Sequence, residues 1–385
     1  MTSPLKINIE PLFLALKTTF KQASSSRSKG ESIWVKAERG KLTGLGEGCP
    51  RIYVTGEDVI TSIKWLTSKI TTIQNECYNL DAIKTFVVDH RHMIDQYPAA
   101  WCAIETALLD LFSRESSVSV EQLLGLQRPQ AVYKYTAVLS DSDPDTFRNL
   151  VGRYIKWGFT DFKVKVNGHL KKDQLKLKII NDMCHEAGIK DFRVRLDANN
   201  LWIDNENAVI EFLSQLSYPI LGIEEPLTPK LFDSLSRIST ALDTAIILDE
   251  SLCSLNDFET CYKLSGKFIA NIKVSRVGGI LRSLELVSLL KAQNQNIIVG
   301  AHVGETSVMT RAGMCIARAC EDNLIAHEGG FGKILLAEDM VKPSLMFGER
   351  GQIDLGRDYI EKNDGVQNIY SSAHWNLGWG LESFF

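Results

Sequence analysis

Four charged side chains fall at the ends of β-rich runs and recur at a nearly constant step. Asp197 closes DFRVRLD, Glu224 lies in YPILGIEEP 27 residues later, Asp249 ends AIILD after 25 more, and Lys273 ends KFIANIK after another 24. Three carboxylates supply hard oxygen ligands suited to Mg2+, with Mn2+ as the alternative, in an octahedral shell completed by water and substrate. One histidine in the neighbourhood and no cysteine at coordinating spacing argue against zinc. Upstream, Lys163 and Lys165 stand two apart in TDFKVKV, hence on one face of a strand, and Asn199 stands two beyond Asp197. Lys165 and Lys273 would flank the ion. A lysine acts as a base only if its pKa is lowered toward neutrality, and Lys163 and the ion are the cations available to do that. A metal bound to a substrate carboxylate would stabilise the enediolate formed when the α-proton leaves.

Such residues must be brought together by the elements that carry them. YKYTAVL, TDFKVKV, DFRVRLDAN, YPILGIEEP, AIILDES, KFIANIKVS, NIIVGAH and NLIAHEG are short apolar runs, each followed by a polar turn or helical stretch. The interval accommodates one strand, one helix and two connections. Eight such strands between Tyr133 and His327, nearly continuous in apolar character, predict a closed parallel (β/α) barrel in preference to an open doubly wound sheet. In a barrel the strand ends converge on one face, where chemistry is housed.

The first 130 residues have a different texture. Ile7–Leu16 and Ser32–Glu38 read as strands, with Gly40, Gly44, Gly46 and Gly48 marking turns. Between them TTFKQASSSRSKGE is polar and predicts a mobile loop. Val59 to Arg114 reads as helical, with Ala99, Cys102, Ala103 and Thr106 allowing close packing. The chain divides on this reading into an α+β cap (1–130), a barrel (131–340) and a segment that returns to the cap (341–385).

Composition excludes more than it names. The 385 residues are 44% hydrophobic and 23% charged, with a formal net charge of -4. That suffices for a sizeable core and gives no support for nucleic-acid binding. Eight scattered cysteines without a Cys-x-x-Cys pair predict reduced thiols in a cytoplasmic protein. No long apolar run predicts a membrane span.

KVKV, RLDANNLW, GIEEPL, ILDES and NIKVSRVGG together resemble the enolase superfamily, in the muconate-lactonising-enzyme-like subgroup with dipeptide epimerases and o-succinylbenzoate synthases. The resemblance covers nearly the whole chain and implies a modified TIM barrel, (β/α)7β, under an α+β cap. It implies Lys165 and Lys273 as acid/base residues and Asp197, Glu224 and Asp249 as metal ligands, supported by Lys163 and Asn199. Glu250 would lie near the opposite lysine. Two opposed lysines permit inversion, so the expected reaction is racemisation or epimerisation of an amino-acid derivative or dipeptide. A lyase (dehydratase or o-succinylbenzoate-synthase-like) or a cycloisomerase is the alternative.

Substrate reading falls to the cap loops and the last two barrel strands. Arg27 could pair with a distal anion or be a solvated charge, and Arg51 and Tyr53 occupy a second loop. His302 reads equally as a pocket residue or a core imidazole. Glu305 and Thr306 match the subgroup's Glu-Thr/Ser element. On strand eight, His327 and Glu328 stand where dipeptide epimerases carry Asp-x-Asp, which puts the ordinary dipeptide assignment in doubt. A homo-oligomer acting on a small carboxylate-containing substrate is the expectation for assembly and partner.

Overall fold

A computed structural model describes residues 3–21, 26–363 and 366–384. Alternating apolar residues near the N-terminus form an antiparallel meander of β1 (Lys6–Lys21), β2 (Ser26–Arg39) and β3 (Leu42–Gly48). The stretch expected as a mobile loop is strand over much of its length, with Phe20 opposite Arg27 and Lys21 opposite Ser26. Ladder bonds join backbone groups, so a polar segment can extend a hairpin without apolar anchors. The outer edge is also tied down: Lys17 N donates to Leu335 O at 2.8 Å and Ala337 N donates to Ala15 O at 2.9 Å. Residues 22–25 of that stretch lie outside the described residues.

Gly40 does mark the β2–β3 connection, but Gly44, Gly46 and Gly48 lie within β3. Their role is contact with a helix. The helices α1 (Val59–Glu76), α2 (Leu80–Asp89), α3 (Arg91–Gln96) and α4 (Pro98–Glu115) follow the meander. A Cβ at Gly44, Gly46 or Gly48 would stand 2.2, 2.1 or 1.9 Å from the carbonyl oxygen of Ala107, Ala103 or Ala99. One strand face thus lies directly on one stripe of α4, every second residue against every fourth. Helix α4 begins at Pro98, whose missing N–H would have no partner there, and the Glu57 carboxylate accepts from Ala99 N and Ala100 N at 3.1 Å each.

The eight-stranded parallel sheet runs in chain order through β5 (Ala137–Leu139), β6 (Asp161–Lys165), β7 (Arg193–Asp197), β8 (Ile223–Glu224), β9 (Ile246–Leu248), β10 (Phe268–Ile272), β11 (Ile297–Val299) and β12 (Leu324–His327). The first expected unit is split: its leading part, β4 (Val132–Lys134), leaves the barrel and pairs antiparallel with Gln352–Asp354. The barrel is incompletely closed. No ladder joins β12 to β5, but Thr136 N donates to His327 O at 2.8 Å across the seam.

Alternation along these strands sorts side chains into two layers. Ile247, Ile269, Ile298 and Ala326 pack together in the barrel interior, whereas Ile246, Leu248, Ala270, Ile272, Ile297 and Val299 belong to the larger core beneath the helices. Counting by twos from the interior set leads to Asp249, Asn271, Lys273 and Glu328. The chain end returns against α4: Trp379 is fully buried, its N donates to Asp110 Oδ1 at 2.8 Å and its Nε1 to Thr106 O at 3.2 Å.

Candidate active site

Sheet register places Lys165 opposite Asp197 and Asp197 opposite Glu224, so three of the five charged candidates share one level of the barrel. Asp249 follows β9 directly and Lys273 follows β10. In a ring of eight strands, β6 and β10 are four apart and therefore face each other across the mouth. Lys165 and Lys273 come from these two strands, and the carboxylates come from the three strands between them.

Each carboxylate meets a cation. Lys163 Nζ is 2.6 Å from Glu224 Oε1, 3.3 Å from Asp197 Oδ2 and 3.2 Å from Glu328 Oε2. Lys165 Nζ donates to Asn199 Oδ1 at 2.6 Å and to Asp197 Oδ2 at 3.4 Å. Lys273 Nζ is 2.6 Å from Asp249 Oδ2, and the Arg276 guanidinium contacts Asp249 Oδ1. Burial works against the Lys163 ammonium, yet Asp197, Glu224 and Glu328 outweigh it and hold the group well above the ordinary lysine range. Burial likewise opposes ionisation of Asp197, and Lys163, Lys165 and Lys273 bring its carboxyl down to about 2. For Glu224 burial prevails over the attraction of Lys163 and raises the carboxyl.

The donor set fits a hard divalent cation. Asp197, Glu224 and Asp249 are all buried oxygen donors on adjacent strands, and Glu224 Oε2 has no hydrogen-bond partner. Glu225 braces the third ligand from outside: its Oε1 accepts from Asp249 N at 2.6 Å and from Ser251 N at 2.7 Å. Glu250 lies beside them with Oε2 buried and unpartnered, and burial, aided by Glu225, pushes its carboxyl up to about 7.

The substrate-reading candidates separate. Glu328 points into the barrel, where Lys163 and, at 3.4 Å, Arg195 flank it, and these cations hold its carboxyl low against the effect of burial. His327, one residue earlier on the alternating strand, faces the other way. It stacks on Tyr135 with ring centroids 4.3 Å apart, and burial lowers its imidazole to about 3, so it is a packing residue rather than part of the mouth. Thr306 is also drawn away: its N and Oγ1 donate to Glu47 Oε2 at 3.0 and 2.5 Å, joining the barrel to β3. Glu305 Oε2 accepts from His302 N at 2.8 Å, and burial raises the Glu305 carboxyl to about 8. Burial keeps His302 neutral, with Arg51 acting in the same direction. Arg27 is 3.6 Å from Glu31 and lies over the Tyr53 ring at 5.5 Å, so it is neither solvated nor unpaired. Arg51 donates to the carbonyls of Glu31, Pro50 and Val303 at 2.9, 2.7 and 2.9 Å and clamps the meander to the β11 loop.

Four participants escaped the sequence reading: Arg195, Glu225, Asn271 and Arg276. Asn271 donates to Glu224 Oε1 at 3.4 Å. Two of them carried a signal, since Arg195 alternates with Asp197 and Asn271 with Lys273. Glu225 and Arg276 act from outside that alternation, and nothing in their spacing marks them.

A barrel whose mouth gathers carboxylates between two opposed lysines, under a meander-and-helix cap, is the framework of an enzyme. Residues 146–355 match the family described as Enolase C-terminal domain-like, and the chain belongs to it, as an isomerase-class enzyme of the enolase superfamily in the muconate-lactonising-enzyme-like subgroup. It is 27% identical over 320 residues to the hydrophobic dipeptide epimerase of Enterococcus faecalis, covering 82% of this chain and 86% of that protein. It is 27% identical over 314 residues to the N-succinyl-L-Arg/Lys racemase of Bacillus cereus, covering 81% and 83%. The solved structure of N-succinyl Arg/Lys racemase from Bacillus cereus superposes with a TM-score of 0.80 at 23% identity, over 100% of this chain and 96% of that one. Among the described residues no helix is long and apolar enough to cross a membrane.

Proposed function

We propose that this protein racemises or epimerises a small carboxylate substrate at its α-carbon, with Lys165 and Lys273 as the two proton-transfer groups. The observation that carries the reading is their origin on strands four apart in the barrel ring, with the carboxylates on the arc between them. One lysine removes the α-proton and the other delivers a proton to the opposite face, which inverts the centre. Asp197, Glu224 and Asp249 would hold Mg2+, which when bound supplies Lewis-acid stabilisation of negative charge on the substrate carboxylate. Lys163, kept protonated by three carboxylates, acts as a fixed positive charge and not as a base. On this reading the cap is 1–130, to which 341–385 return, and the barrel of 131–340 carries the reacting groups. The eight free cysteines accord with a reducing compartment such as the cytoplasm.

The strand-eight carboxylate favours one substrate class. Lys163 and Arg195 flank Glu328 and offset its charge, which makes it a weaker partner for a free ammonium group than an unpaired carboxylate. An amino acid whose amine is acylated suits that wall better than a dipeptide with a free N-terminus, while the similarity to the N-succinyl-L-Arg/Lys racemase and to the hydrophobic dipeptide epimerase is equal and does not choose between them. The test is incubation with Mg2+ in D2O and a panel of N-acylated amino acids, dipeptides and hydroxy acids. Deuterium at the α-carbon accompanied by inversion, fastest with N-acylated substrates, is the expected result. Loss of water without inversion would transfer the protein to the lyases of the same superfamily.

A further inference from the structure

On the strand-seven side of the mouth a second group of ligating side chains converges, separate from the three carboxylates. Cys49, just past β3, meets His302 and Glu305 from the loop after β11, and the ligand atoms of the three lie within 4.8 Å of one another. A thiol sulfur, an imidazole nitrogen and one carboxylate oxygen form the donor set of a borderline cation such as Zn2+ and not that of Mg2+. Zinc with bonds of about 2.0–2.3 Å in a tetrahedron separates its ligand atoms by about 3.3–3.8 Å. The trio therefore needs to contract by roughly an ångström or so and requires no refolding of the loops that carry it.

Both sides are fixed in place. Cys49 N donates to Ser275 Oγ at 2.7 Å, and His302 N donates to Glu305 Oε2 at 2.8 Å. Cys49 is 2% exposed and His302 9%, so bulk water competes little for them. Ser32 Oγ and Glu47 Oε1 lie 3.5 and 3.8 Å from the sulfur. Of the cations around His302, Arg51 is engaged with three backbone carbonyls, Lys273 and Arg276 with Asp249, and Arg27 with Glu31.

We propose that Cys49, His302 and Glu305 form a second divalent-metal site, selective for Zn2+ or a cation of similar softness, with the fourth position open to water. Cys49 belongs to the meander, and His302 and Glu305 belong to the barrel, so the bound ion ties one to the other. The tie falls where the two already approach closely, since a Cβ on Gly30 would stand 2.4 Å from Gly304 O. The site is argued from its own ligands and holds whichever reaction the mouth performs.

Co2+ is the probe. The full chain in saturating Mg2+, titrated with Co2+, should develop near-ultraviolet thiolate-to-cobalt charge transfer and tetrahedral visible bands at one equivalent, both displaced by Zn2+. Asp197→Asn, altered in the carboxylate set, should keep the charge-transfer band. Cys49→Ser should lose it, and His302→Gln should lose the tetrahedral bands and bind Zn2+ at least about tenfold more weakly. If Cys49→Ser fails to fold, judged by circular dichroism, His302→Gln decides. A wild-type protein without the thiolate band, or variants that retain both the spectrum and the affinity, would overturn the site.

Discussion

Glu328 shows how a single carboxylate can set the electrostatics of this barrel. It lies between Lys163 and Arg195, both buried; without its charge Lys163 keeps Glu224 and Asp197, and Arg195 keeps Asp161, but each loses one of its partners. Glu328→Gln should therefore destabilise the fold by about 1–3 kcal/mol, read from urea denaturation, a cost above that of an exposed pair. At this scale the sequence was informative wherever a residue's role follows from position along a strand. The lysine and carboxylate candidates stand at strand ends, and alternation by twos gives their common face. His327 was misread because its orientation depends on which parity faces inward, and that needs a reference residue such as Ala326. Thr306 was misread because its partner, Glu47, is 259 positions away in the chain.

At the scale of elements, the contact of β3 with α4 is made by absence of side chains. A methyl group at Gly46 would stand 2.1 Å from Ala103 O, a backbone atom that cannot rotate away. Gly46→Ala should cost at least about 1–3 kcal/mol, seen as a lowered denaturation midpoint with an unchanged slope. The glycine spacing and the alanine spacing were both visible in the sequence, but each was read alone, and only their pairing reveals a packed face. A second element-scale feature is the start of the helix Ile280–Ala292. Glu105 Oε1 accepts from Leu281 N at 3.0 Å and Oε2 from Trp101 Nε1 at 3.0 Å, while burial pushes the carboxyl up to about 7. The folded protein thus holds this proton more tightly than the unfolded chain. Its contribution to stability is complete below the ordinary carboxyl range, declines as pH rises toward about 7, and is constant above. Relative to Glu105→Gln, the wild type should lose up to about 3 kcal/mol between pH 4.5 and 7 in urea melts. Parallel pH profiles for the two proteins would contradict this.

Across the whole molecule, the barrel's order was legible because each strand–helix unit occupies a similar length of chain, so the intervals themselves count the strands. The split of its first unit was not, since β4 and β5 form one continuous apolar run and separate only when Gln352–Asp354 arrives from far down the chain. That late segment and Trp379 bind distant parts together. Trp379→Ala should cost about 3–5 kcal/mol in equilibrium denaturation, because the ring is fully buried against α4 and its Nε1 bond to Thr106 O is lost as well. The same global arrangement sets Lys165 and Lys273 on facing strands, and the account depends on that opposition. The direct test follows α-proton exchange in D2O separately from each enantiomer of a turned-over substrate, in Lys165→Ala and Lys273→Ala. Each variant should lose inversion by about 10²–10⁴-fold. Each should also retain exchange of only one enantiomer, the two variants retaining opposite ones. Equal exchange of both enantiomers in either variant, or undiminished inversion, would contradict a two-lysine mechanism.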